Sequence, residues 1–240
     1  MKSLNLKAKF LGLAMAIAAS SHVLAGCSTP PQTQAQAPTP TATNAGDRQP
    51  TGNTTGGMHH DGMKPGGMMD HSTMELGPAD AEFDLRFIDS MIPHHEGAVV
   101  MAQEVVQKSQ RPELKKLAQN IIQAQAKEIN QMKQWRSAWY PKAPSTPVAW
   151  HAQMGHSMAM SEDHMKAMRM DMDLGTADAN FDQRFIDAMI PHHEGAVVMA
   201  NDALQKSKRP EILQLAKNII ASQQTEIKQM QQWRNSWYGK

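Results

Sequence analysis

One cysteine in 240 residues leaves no partner for an intramolecular disulfide, and no Cys-x-x-Cys occurs. A disulfide scaffold, a zinc ribbon and a thiol enzyme are therefore poor readings. The glycine fingerprint of nucleotide-binding folds and the Gly-x-Ser-x-Gly of hydrolases are also missing. Charge of one sign is lacking: 24 Lys and Arg face 23 Asp and Glu, a formal +1. Nothing there favours nucleic acid as a partner. Aromatics are scarce at 5%, and apolar residues at 40% are somewhat few for a chain that packs along its whole length. Methionine is abundant instead, with 20 residues beside 11 His. That excess needs a chemical reason.

The first residues read as an address. Lys2, Lys7 and Lys9 precede an apolar run from Phe10 to Ala19, too short for a comfortable membrane span. Leu24-Ala25-Gly26-Cys27 follows and resembles a bacterial lipobox, so residues 1–26 are expected to be a lipoprotein signal peptide and Cys27 the lipidated residue. Ser28 stands where an inner-membrane retention signal would place Asp, which favours an outer membrane where one exists. Removing residues 1–26 deletes three Lys and leaves 21 basic against 23 acidic residues. Residues 28–57 hold almost no large apolar side chain and cannot offset their ordering entropy. Residues 27–75 are expected to form a tether with a Met- and His-rich end.

Past the tether the chain repeats. A shift of 98 residues lays Leu76–Tyr140 on Leu174–Tyr238 without a gap, and 44 of 65 positions are identical. The strongest block, Arg86-Phe-Ile-Asp followed by Met91-Ile-Pro-His-His-Glu-Gly-Ala-Val-Val-Met-Ala102, returns at Arg184 and at Met189 to Ala200. Apolar positions at three- and four-residue spacing, from Leu114 through Ile121 and Met132 to Trp139, make one helix face. Asp80 and Asp178 are candidate N-caps, Pro112 and Pro210 suit second-helix starts, and Pro93 and Pro191 predict kinks. Two helical hairpins result, at 76–140 and 178–240, joined by a crossover at 141–177. The expected fold is all-α, a four-helix bundle made of both repeats. No strand signal competes.

Spacing alone builds a polar cluster inside such a bundle. Counted from a hairpin turn near Gln110, His94 and Glu128 sit within roughly 3 Å of one level at ~1.5 Å rise per residue. Glu128 falls on the apolar stripe with Gln125 and Met132, while Met91 and Met101 flank His94 and His95 on the first helix. The second copy supplies His192, His193, Met189, Met199, Gln223, Glu226 and Met230. Imidazole suits several transition metals and thioether selects soft ions, Cu(I) above all. The expected ligands are thus His94, His95, Met91, Met101, His192, His193, Met189 and Met199. Glu96, Glu194, Gln125, Glu128, Met132, Gln223, Glu226 and Met230 are candidates for ligation or for orienting an imidazole. A buried hydrogen-bond network without metal would use the same residues.

Two further segments concentrate the same donors. Met58, His59, His60, Met63, Met68, Met69, His71 and Met74 precede the first repeat. The crossover holds His151, Met154, His156, Met158, Met160, His164, Met165, Met168, Met170 and Met172, with a short helix expected from Ser161. Both read as flexible metal-capture segments, the alternative being a Met-rich adhesive surface. A di-iron carboxylate oxidase needs Glu-x-x-His on two helices, which neither copy has.

The doubled Met-Ile-Pro-His-His-Glu-Gly-Ala block, the paired-helix repeat and the lipoprotein-type leader resemble the secreted bacterial family called domain of unknown function 305, over about residues 76–240. The resemblance implies a ferritin-like fold of two two-helix repeats. Its best-understood, CopM-type branch implies periplasmic copper binding and copper resistance. The expectation is a lipid-anchored, extracytoplasmic protein, periplasmic or on the cell surface, that sequesters copper as Cu(I) or, second, Cu(II). It is not read as an enzyme. Metal ions are its expected partners, with a copper exporter or chaperone as recipient; membrane contact runs through the anchor only, and nucleic acid is no partner. A di-metal oxidase and a metal-free interaction module are the alternatives.

Overall fold

The computed structural model describes residues 74–239. The leader, Cys27, the tether, and Met58, His59, His60, Met63, Met68, Met69 and His71 lie outside the described residues.

Each repeat forms a helical hairpin. The first pairs α1 (Phe83–Lys108) with α2 (Pro112–Trp139). A crossover follows, holding β1 (Val148–His151), β2 (His156–Ala159) and α3 (Glu162–Arg169). The second hairpin pairs α4 (Phe181–Lys206) with α5 (Pro210–Tyr238). The tight turns follow from local chemistry. Ser109 and Ser207 accept the backbone N–H of Arg111 and Arg209 on their hydroxyls, and Pro112 and Pro210 open the next helices. Among the described residues no helix is long and apolar enough to cross a membrane.

Two expectations about local structure are corrected. Asp80 and Asp178 do not cap α1 and α4, which start three residues later. Each closes a turn instead, accepting the N–H of Glu82 or Asn180, and spends its carboxylate on Arg86 or Arg184. The crossover, expected without strands, folds back as an antiparallel ribbon pairing Val148 with Ala159 and His151 with His156. Its anchor is the first repeat. Buried Arg86 donates to the Leu76 and Pro78 carbonyls and to Ser157 Oγ, with Trp150 over its guanidinium at 5.2 Å. Asp89 pairs with Arg136 and accepts the Val148 N–H at 2.9 Å. Short strands of this kind are held by such contacts more than by their own pattern.

The hairpins pack through α1 against α4, and neither keeps a core of its own. One core cluster joins Phe83, Phe87, Met91 and Met132 to Ala196, Met199, Ile212 and Leu215. The other joins Met101, Val105, Leu114 and Ile121 to Phe181, Phe185, Met189 and Met230. Burial of each large side chain contributes about 1.5–3 kcal/mol, so much of each hairpin's stabilisation comes from its neighbour. The turn of each hairpin also grips the open end of the other. Arg111 pairs with Asp182 at 3.4 Å and lies 4.0 Å from the Trp237 ring. Arg209 repeats this with Asp84 at 3.3 Å and Trp139 at 4.3 Å.

Candidate metal centre

Where α1 crosses α4, both His-His pairs are buried. The His94 and His192 rings meet with centroids 3.9 Å apart, tilted by 48°. His193 lies 6.3 Å from His192. Antiparallel helices in a hairpin bring the second-helix carboxylates alongside: His95 Nε2 lies 2.8 Å from Glu128 Oε2, and His193 Nε2 lies 2.7 Å from Glu226 Oε2. The third tether is the Arg169 carbonyl at the end of α3, 3.0 Å from His192 Nε2.

These acceptors assign the ring protons. Carboxylates and carbonyls accept, so Nε2 of His95, His192 and His193 carries the hydrogen in the neutral imidazole and Nδ1 keeps its lone pair. Each of those three Nδ1 atoms is buried without a protein partner, and His94 has no partner at either nitrogen. Five unpartnered ring nitrogens at one crossing is a costly arrangement for groups with nothing to bind. Burial also keeps the His94 and His192 rings uncharged. His94 is held well below the ordinary histidine range by burial, aided by the neighbouring imidazoles, and His192 is pushed down to about 3, chiefly by burial. Neutral imidazole is the ligand form.

Buried methionines fill both core clusters. Met91 and Met132 share a cluster with Met199 of the other repeat, together with Met74 and Met168, while Met101 sits with Met189 and Met230. Met91 and Met101, expected in one set, thus fall in different clusters, as do Met189 and Met199, and each cluster draws methionines from both copies. Gln125 and Gln223 are buried with Oε1 unpartnered. Glu96 meets Lys133 and Arg169 at the surface, and Glu194 is exposed; Glu128 and Glu226 are the carboxylates that orient imidazoles. Among the described residues no three His, Cys, Asp or Glu side chains gather as a metal-holding group. An ion held here would take thioethers as well as imidazoles.

The two copies are not equivalent. Met74 and Met172 stand 98 residues apart in sequence, yet Met74 is buried and Met172 is 45% exposed. A Cβ on Gly195 would stand 2.7 Å from Met74 Sδ and 3.2 Å from His94 Nε2, so only glycine leaves room for that thioether beside that imidazole. A Cβ on Gly97 would instead overlap the Arg169 carbonyl, the group that occupies His192 Nε2. One imidazole thus faces a sulfur and its counterpart faces backbone.

The crossover does not remain the flexible capture segment expected of it. Met160 and Met168 are buried, and His164, Met165 and Met170 are partly buried. The predicted short helix is α3, capped by the Ser161 hydroxyl accepting the His164 N–H, and it ends before Met172. His151, Met154, His156, Met158 and Met172 remain exposed. Sequence reading assigned no role to Arg86, Asp89, Gly97 or Arg111, though all four recur 98 residues on, Gly97 as Gly195. It had no signal at all for Arg169.

A family model described as "Domain of unknown function (DUF305)" matches residues 17–136 and 84–234. Among solved structures the chain is similar to CopM in its Cu(I)-bound form, with 42% identity and a TM-score of 0.50, and in its Cu(II)-bound form, with 44% and 0.53. The Ag-bound form obtained by co-crystallization gives 43% and 0.51; each of the three comparisons covers 65% of this chain and 97% of CopM. Among curated proteins it is similar to "Uncharacterized protein L153" of Acanthamoeba polyphaga mimivirus, 45% identical over 49 residues, or 20% of this chain. The match spans about a third of that relative, 32% of its length.

Proposed function

This chain belongs to the DUF305 family, and we propose that it binds copper as a soft ion at the crossing of α1 and α4, for extracytoplasmic sequestration or resistance. The observation that carries the reading is the set of five buried, unpartnered ring nitrogens on His94, His95, His192 and His193. Buried thioethers in the adjoining clusters add soft donors. Imidazole with thioether favours Cu(I) and Ag(I) over Zn(II). That a 42%-identical relative, CopM, has been solved with Cu(I) bound supports the assignment. Glu128, Glu226 and the Arg169 carbonyl hold ring N–H groups and present the opposite nitrogens, the usual division of labour around a metal-bound histidine.

His94, His95, His192 and His193 are the proposed imidazole ligands. Met74, Met91, Met101, Met189 and Met199 are the proposed thioether ligands, with Met132 and Met230 beside them. Cys27 lipidation would tether the domain to a bacterial membrane, with residues 58–71 adding capture donors and an exporter or chaperone receiving the ion. Only Glu128 and Glu226 bring carboxylates to imidazoles among the described residues, which favours ion storage over a di-metal oxidase. Competition titration with Ag(I) and Zn(II) tests the proposal. Ag(I) should be held far more tightly, and replacing His94 and His192 together by Ala should abolish the tightest site. Equal Ag(I) and Zn(II) affinities, or full Ag(I) binding in that variant, would overturn it.

A further inference from the structure

The crossover ribbon carries donors that the buried crossing does not use. His151 and His156 are register partners, the last pair of the ladder before the turn, and both are exposed. Directly opposed residues in an antiparallel pair have Cβ atoms about 4.5–5.5 Å apart on one face, close enough for two imidazoles to share an ion. The pair is held from behind. Met154 and Gly155 both donate their N–H to the His151 carbonyl, at 3.1 and 2.9 Å. On the opposite face Trp150 and Ser157 pack onto Arg86.

His156 is already oriented. Its Nδ1 lies 3.0 Å from the Met154 carbonyl oxygen, which accepts, so the proton sits on Nδ1 and Nε2 keeps a free lone pair facing solvent. A backbone carbonyl fixing one ring nitrogen while the other stays bare is how metal-binding histidines are commonly prepared. Met158 shares the face through the two-residue period and is 41% exposed.

We infer that the tip of the β1–β2 ribbon is a second metal site, a two-imidazole chelate formed by His151 and His156 for divalent ions of borderline softness, Cu(II) foremost. Two imidazoles with water in the remaining positions follow the general order in which Cu(II) exceeds Ni(II) and Zn(II). The site shares no residue with the buried crossing and differs from it in solvent access and preferred ion.

Paramagnetic broadening in amide NMR spectra of the full-chain protein tests it, with Cu(II) alone as the probe. Amides of residues 149–158 should broaden as Cu(II) is added. In His151→Gln, His156→Gln and their double variant that broadening should vanish, and Cu(II) stoichiometry should fall by one. Ag(I) stoichiometry should stay unchanged. Ribbon amides of residues 149–158 that remain sharp at saturating Cu(II), or that broaden equally in the double variant, would overturn the inference. Loss of Ag(I) binding in His94→Ala/His192→Ala leaves this result untouched, so failure of one site is read separately from failure of the other.

Discussion

His94 and His192 occupy the same place in their repeats and meet ring to ring at 3.9 Å, yet only His192 has a hydrogen-bond partner. His94 faces the Met74 thioether across Gly195, whereas His192 is held by the Arg169 carbonyl across Gly97. The duplication therefore produced one composite centre of unequal halves. Substitutions at equivalent positions should have unequal effects.

His94→Ala should weaken Ag(I) binding more than His192→Ala. The first variant removes the ring beside the Met74 thioether, and the second removes the ring held by a backbone carbonyl. Isothermal competition titrations read the difference directly. Equal losses would mean that Met74 and Arg169 do not distinguish the two halves.

Glu128→Gln and Glu226→Gln should leave the helices intact and reduce metal affinity by about 10–100-fold each, the usual cost of removing an orienting partner. The amide still accepts from Nε2 but no longer supports ring basicity as a carboxylate does. Circular dichroism beside the titration separates loss of affinity from loss of fold.

Acid should destabilise the metal-free protein. An unfolded histidine titrates near 6.5, while His192 in the fold stays uncharged down to about 3 and His94 is also shifted well down. Between those values the unfolded chain binds protons that the fold refuses, so stability is full above pH 6.5 and declines as pH falls toward 3. Thermal melts from pH 7.5 to 4 should show this. The slope should flatten in His94→Gln/His192→Gln, and an unchanged slope would assign the acid sensitivity elsewhere.

Gly97→Ala and Gly195→Ala should fail differently. At Gly97 the new methyl meets backbone, which cannot swing aside, so α3 should detach with about 1–3 kcal/mol lost. At Gly195 it meets the end of a flexible Met74 side chain, so stability should fall less and Ag(I) affinity more. Chemical denaturation paired with metal titration distinguishes the two.

Arg111→Ala and Arg209→Ala should each cost about 1–2 kcal/mol, from one partly exposed ion pair and one cation–π contact. Residues 76–140 expressed alone should unfold or dimerise, because their core is completed by the second hairpin. A cooperative, monomeric melt from that fragment would contradict the shared core.

Much of this protein is legible from residue order because helices declare themselves locally. The 3.6-residue periodicity, Pro112 and Pro210 at helix starts, and the exact 98-residue repeat suffice for two hairpins. Counting residues back from a turn placed Glu128 level with the His-His pair, since antiparallel helices tie sequence distance to height; the carboxylate reaches His95. Sequence could not say how one hairpin faces the other. That is set by Arg111 and Arg209 gripping Asp182, Trp237, Asp84 and Trp139 across repeats, contacts with no local period. Only this docking brings His94 to His192 and mixes the methionines of both copies, while the crossover folds onto Arg86 and Asp89 of the first repeat. Similar repeats joined by one unsymmetrical crossover cannot remain equivalent, because Met74 meets His94 while the Arg169 carbonyl meets His192.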